Sequence, residues 1–207
     1  MHNIISSGSK GNCIIYNKNI MVDIGVSYKA IKDFEKDIQL VLLTHIHDDH
    51  LTHSTLKKLQ YERPTIRIGT GSHMLKYLEG LDNIDVFEVG KWYDYGPFKL
   101  SPVQLFHDVP NFGYRIDIKG YKIFHATDTS HLNGIDAKGY DLYAIEHNYD
   151  EEIILKNIQE KKQKGQYAYE EGALETHLSA QQAGDFIFNN KKEDSEILKL
   201  HISERNS

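Results

Sequence analysis

The sequence predicts an α/β fold, a layered sandwich in which helices cover sheets. Three observations predict it. Short apolar runs with strand character alternate with helical segments along the chain. They fall into two halves of similar size, the second richer in strands. The 207 residues suffice for one compact domain, 1–207, with a substantial core, and are few for two.

Taken in order, residues 12–16 and 20–24 form a hairpin across Asn17-Lys18-Asn19. Ser27 caps a helix running to Lys36. Residues 39–43 are a nearly continuous apolar run, as a strand buried on both faces is. Residues 51–61 follow as a helix, 65–68 as a strand, and 71–78 as a helix stopped by Gly80. Strands return at 84–89, 98–106, 112–118 and 121–126, the last two joined by Lys119-Gly120. Residues 140–146 are a strand, 150–162 a helix, and 163–175 a mobile loop rich in Gly, Gln, Glu and Tyr. Ser179 and Gln182 make a capping box that opens a helix to about Phe188, and 197–202 close the series as a strand.

Hydrophobic content of 40% and charged content of 26% are ordinary for a soluble globular chain. No apolar run approaches the ~20 residues that span a bilayer. The start, MHNIISSGSKGNC, lacks a basic segment followed by an apolar one, so no signal peptide is expected. Cys13 is the single cysteine, which excludes an internal disulfide and fits a cytoplasmic location. A net charge of −6 argues against a generic nucleic-acid coat protein. It leaves room for a nuclease, because two divalent ions add about +4 where it matters. Nothing calls for a membrane or for an obligate protein partner.

The stretch THIHDDH, at Thr44–His50, concentrates three histidines and two aspartates directly after an apolar strand. Such residues are costly to bury unless they hold something positive. The spacing excludes a helical ligand pair, which would sit at i and i+4. In an extended segment His45 and His47 point to one side and can reach one ion. Asp49 and His50 then turn with the chain and can reach a second. Imidazole with carboxylate suits zinc, and also manganese or iron. A solvated turn before a helix is the plain alternative for a lone His near an Asp, and it accounts poorly for H-x-H-x-D-H in this position.

With its neighbours, this motif resembles the metallo-β-lactamase fold superfamily. Asp23 in MVDIG, His107 in LFHDVP, Asp128 in HATDTS and His201 in LKLHIS match the superfamily's other landmarks in order. The resemblance implies a four-layer αββα sandwich and a binuclear centre. His45, His47 and His107 would hold one ion, and Asp49, His50 and His201 the other. Asp128 would bridge them. Zn2+ is the first expectation and Mn2+ the second. Asp23 would anchor the histidine loop or orient a ligand imidazole. Asp128 stands where secreted lactamases mostly carry cysteine. SGSKGN at residues 7–12, HDVPNFGYRI at 107–116 and THLS at 176–179 resemble the WalJ/YycJ-like exonuclease group. They imply a nuclease or phosphodiesterase acting on single-stranded nucleic acid or small phosphodiesters through a metal-activated water. His177, paired with Glu146, would be the proton donor, as in the similar stretch of tRNA 3′-processing endonucleases. The alternative is an ester or thioester hydrolase with the same ions, and the non-enzymatic one a scaffold stabilised by them.

Ser9, Gly11 and Asn12 are candidates for backbone contacts to a phosphate. His53 is read as a surface helix residue, and His73, His125 and His131 as strand or loop residues without a partner motif. His147 has no role that the motifs assign. Lys156, Lys161, Lys162 and Lys164 could make a basic edge for nucleic acid, but they alternate with Gln and Glu, the pattern of a solvated helix face. Tyr167 and Tyr169 could stack bases or belong to a loop.

Overall fold

Apolar runs become strands where the sequence marks them, in a computed structural model that describes residues 2–203 and 206. The chain divides into two compact units, residues 1–91 and 92–207.

The first unit is a six-stranded mixed sheet in sequence order: β1 (His2–Ser6), β2 (Cys13–Tyr16), β3 (Ile20–Val22), β4 (Leu40–Leu42), β5 (Arg67–Gly71) and β6 (Ile84–Phe87). The first three pair antiparallel and the rest parallel. The three-residue β2–β3 connection carries positive φ at Asn17 (48°) and Lys18 (65°), the successive left-handed residues that match the strand twist. β4 lies between β3 and β5 with all three residues buried, which is why its sequence reads as an unbroken apolar run. α1 (Tyr28–Ile31) and α2 (His53–Glu62) flank the strands in sequence. Ile15, Met21, Val41, Leu56, Leu59 and Ile68 belong to one buried cluster.

Two expectations need correcting in this unit. The helix expected from Ser27 to Lys36 is α-helical only over Tyr28–Ile31, and Ser27 makes no side-chain cap. The chain then tightens into turns, with Phe34 N–H on the Ile31 carbonyl, and Phe34 packs against the core. The helix expected over 71–78 is a 3-10 helix, Ser72–Tyr77, because β5 continues through Gly71. β1 carries no periodic signal and was not expected.

The second unit is a six-stranded mixed sheet in reverse order: β12 (Glu196–Leu200), β11 (Leu142–Glu146), β10 (Tyr121–Ala126), β9 (Asn111–Ile118), β8 (Lys99–Leu105) and β7 (Tyr93–Asp94). β10, β11 and β12 run parallel, and the others pair antiparallel. Pro102 sits in β8 beyond the reach of β7, where its missing N–H costs no ladder bond. Asp150 caps α3 (Glu151–Gln163) by accepting the N–H groups of Glu152 and Ile153. Ser179 and Gln182 form the expected capping box of α5 (Ala180–Asn190).

Residues 163–175, expected as a mobile loop, instead contain α4 (Glu170–Thr176). Lys161 pairs with Glu170 and Lys162 with Glu171, each at 2.5 Å. Ala168 packs with Ile154 and Ile158 of α3, and Ala173 packs against them. Lys161 also lies 3.7 Å from the Tyr169 ring, so that ring is engaged by a cation; Tyr167 is exposed. Among the described residues no helix is long and apolar enough to cross a membrane.

Gly25 is the tightest approach in the first unit: a Cβ there would lie 1.7 Å from the Asp49 carbonyl oxygen. Gly25→Ala must displace the backbone of the histidine loop, at a cost of about 3 kcal/mol or a Tm loss of roughly 6–12 °C. Gly184, inside α5, faces open space. Gly184→Ala therefore raises Tm by about 2–4 °C. Differential scanning calorimetry of both variants checks the opposite signs.

Candidate metal centre

In the first unit, β4 delivers Thr44 and the histidines at its C-terminal exit. The chain stays extended through His47 and then turns, with His50 and Leu51 N–H both on the His47 carbonyl. His45 is fully buried, its ring centroid 4.7 Å from that of His47 and 4.1 Å from that of His50. Asp23, just past β3 and at φ 58°, is buried beneath them. Its carboxylate accepts Thr44 N–H (2.9 Å), Thr44 Oγ1 (2.9 Å) and His50 Nδ1 (2.6 Å). A carboxylate accepts, so His50 carries its proton on Nδ1 and presents a lone pair at Nε2. Thr44 has one hydroxyl proton, directed to Asp23, so its oxygen accepts from His45 Nδ1 at 2.9 Å. Both imidazoles are thereby set in the tautomer that ligates through Nε2.

Of Ser9, Gly11 and Asn12, expected to offer backbone contacts to a phosphate, two have their N–H groups engaged within the protein. Gly11 N–H is spent on the Gly8 carbonyl, and Asn12 N–H on the Asp49 carbonyl. The Asn12 side chain binds the loop instead: Oδ1 accepts Gly8 N–H, while Nδ2 lies 2.8 Å from His50 Nε2 and 3.2 Å from Asp49 Oδ2. Ser9 is exposed.

In the second unit, three neighbouring parallel strands end side by side. β10 leads to Asp128, β11 ends on Glu146, and β12 leads to His201. Asp128 (φ 58°) and His201 (φ 50°) share with Asp23 the left-handed backbone that Asp, Asn and His tolerate best. Asp128, Glu146, His177 and His201 each place a ligand-type atom within 4.8 Å of the others. His177 Nδ1 is 2.6 Å from Glu146 Oε1 and 3.6 Å from Asp128 Oδ1. The rings of His177 and His201 stack at 5.2 Å. Glu146 is fully buried, and its other oxygen accepts the N–H groups of Thr129 and Leu178. His107, past β8, donates from Nδ1 to the Thr176 carbonyl at 2.9 Å, and its Nε2 lies 3.1 Å from Asp108 Oδ1. His107 and His177 lie 5.3 Å apart, ring to ring.

Burial by itself pushes the His177 pKa down, but the bond and charge of Glu146, with Asp128 behind, raise it above the ordinary value. Burial pushes Glu146 up, yet the His177 and His201 contacts bring it below the usual carboxylate range. At Asp23 burial wins over the His50 and Thr44 bonds, and its pKa is raised. His107 is lowered, chiefly by burial.

Other histidines stand apart from this chemistry. His53 opens α2, partly exposed. His73 contacts the Thr44 carbonyl, and His125 is buried within β10. His147, buried after Glu146, directs Nδ1 to the Ile145 carbonyl. Sequence reasoning missed Thr44, Asn148 and Thr129. Asn148 holds His201, its amide nitrogen 3.0 Å from the ring Nδ1 and 3.1 Å from the backbone oxygen. Its place two residues after Glu146 was the only available signal.

In each unit the donors are imidazole nitrogens and carboxylate oxygens, the chemistry that suits divalent cations. Residues 19–187 match the family described as the beta-lactamase superfamily domain, and the chain belongs to that family. It is 26% identical over 170 residues to Exodeoxyribonuclease YycJ of Bacillus anthracis, covering 73% of this chain and 64% of that one. It is 29% identical over 175 residues to Exodeoxyribonuclease WalJ of Streptococcus pneumoniae, covering 74% of this chain and 64% of that one. The chain thus spans a little under two thirds of the length of these relatives. The structure of the metallo-beta-lactamase fold protein YhfI from Bacillus subtilis aligns over 100% of this chain and 87% of that one, with a TM-score of 0.74 and 16% identity. The fold is therefore the α/β metallo-β-lactamase fold.

Because folding raises the His177 pKa, the native state favours the protonated ring. The stability this contributes is complete below about pH 6.5 and is lost as pH climbs through the raised value. In metal-free protein, His177→Ala should lower Tm more at about pH 6 than at about pH 9. Calorimetry at the two pH values checks the sign.

Proposed function

We propose that this chain is a divalent-metal-dependent phosphodiesterase of the cytoplasm, acting on single-stranded nucleic acid or small phosphodiesters. One observation carries the reading: a histidine, His177, bonded at 2.6 Å to a fully buried glutamate, Glu146, beside Asp128 and His201. Breaking a phosphodiester requires a proton for a departing alkoxide, whereas a thiolate leaves without one. The relatives named as exodeoxyribonucleases support a nucleic-acid substrate.

His45, His47 and His107 would hold one divalent cation and Asp49, His50 and His201 a second, with Asp128 as a further carboxylate ligand. Imidazole-rich ligation favours Zn2+, with Mn2+ as the second choice. Bound there, the cations supply Lewis acidity, acidifying water and offsetting the charge on phosphate oxygens. His177 delivers its Nε2 proton to the leaving oxygen while Nδ1 stays on Glu146. Glu146 keeps its charge through the step, because Thr129 and Leu178 N–H groups hold its second oxygen. Asp23 fixes the His50 and Thr44 orientations.

His177→Ala should lower kcat on a chromogenic phosphodiester and on labelled single strands by about 10²–10⁴, with metal content unchanged. Near-full activity, or turnover of esters and thioesters alone, would overturn the assignment in favour of the ester or thioester hydrolase. Asp23→Asn keeps a residue that tolerates left-handed backbone but loses a carboxylate oxygen. It should weaken metal affinity roughly 10–100-fold in chelator competition.

A further inference from the structure

Beside His107 in the second unit lies an open cavity of about 690 Å³. Phe106 stands on its wall, 42% exposed, although large apolar side chains of this chain are mostly buried. The ring is backed by His131, stacked at 4.1 Å with 29° between the planes. The pair is held from below. Phe106 N–H donates to Thr129 Oγ1 (3.1 Å), Ser130 N–H to the Phe106 carbonyl (2.7 Å), and Thr129 Oγ1 to the His131 carbonyl (2.9 Å). Thr129 N–H in turn donates to Glu146, the carboxylate that holds His177. An aromatic face fixed this way loses little freedom when something stacks on it.

The rest of the lining narrows what that something is. Asp108, one oxygen of which lies 3.1 Å from His107 Nε2, and Glu175 contribute carboxyl groups, and besides His107 and His131 the lining, among the described residues, has neither lysine nor arginine. The Gln104 amide hydrogens are committed to the Leu105 and Asn111 carbonyls. Such a cavity repels a phosphate and accepts a flat group that carries N–H donors. It also reaches Thr176, whose carbonyl holds His107 and whose chain neighbour is His177.

We propose that this cavity receives a nucleobase bearing an exocyclic amino group, stacked on Phe106, and so positions the neighbouring phosphate near His107 and His177. The inference rests on the phosphodiesterase reading. Base–aromatic stacking contributes a factor of roughly 5–100 in affinity per base.

The test is equilibrium binding of metal-loaded protein to two fluorescent, cleavage-resistant phosphorothioate strands of equal length, one oligodeoxycytidine and one abasic. The protein should prefer the cytidine strand by roughly 5–100-fold. Phe106→Ala should reduce that preference to near unity, and Phe106→Trp should preserve it, which separates stacking from misfolding. Equal binding of both strands, or a preference that survives Phe106→Ala, overturns the base site and leaves the phosphodiesterase reading standing. If neither strand is bound and an unmodified strand is not cut, both fall together.

Discussion

A carboxylate withdrawn from water must be surrounded by donors or it will not stay charged. Two such carboxylates organise this chain. Asp23 gathers Thr44 and His50, so the loop after β4 has one way to fold over it. Glu146 gathers His177, Thr129 and Leu178, and so joins the segment after β10 to the α4–α5 junction. Their balances differ. At Glu146 the donors outweigh burial, and the histidine beside it is shifted toward its protonated form. At Asp23 burial outweighs the donors, and a positive charge on the far side of His50 would redress that. One carboxylate suits proton transfer, the other a ligand's orientation.

Within each unit the strands explain why these groups meet at all. Chemistry-bearing residues of an α/β sheet collect at the carboxyl ends of its parallel strands. β4 ends in the histidine motif, and β10, β11 and β12 end at Asp128, Glu146 and His201. Asp23, Asp128 and His201 leave their strands through left-handed backbone. Such conformations cost about 1–3 kcal/mol each and cluster where function requires a sharp exit. Gly25 and Gly11 serve the same end by letting loop backbones touch, since a Cβ on Gly11 would lie 2.2 Å from the Gly25 oxygen.

Membership of the superfamily defines the scaffold and the class of donor, but many chemistries share that scaffold. The proposed proton donor is what separates them here. His177 stacks on His201, a residue assigned to a cation, and bonds to a fully buried carboxylate. Such a position serves a reaction in which a poor leaving group must be protonated. The acidic, aromatic cavity next to it is suited to the base rather than to the phosphate of a nucleotide.

The local features were legible from residues alone. The histidine motif after an apolar run, the Ser179–Gln182 capping box and the hairpin turn at Asn17-Lys18 depend on spacing and backbone preference within a few residues. The pairing of His177 with Glu146 was also legible, though only through resemblance. What stayed hidden was contact between distant positions. Asn12 reads as part of a glycine-rich turn until Asp49 and His50, 37 and 38 residues on, come to lie against its amide. The Thr176 carbonyl that fixes the His107 tautomer is 69 residues away. α4 forms where composition suggests a loop, because Lys161 and the apolar face of α3 stabilise it. Residue type and short spacing determine which groups are able to bind a cation or move a proton. Which lone pair each presents is decided by partners that only the folded chain brings within reach.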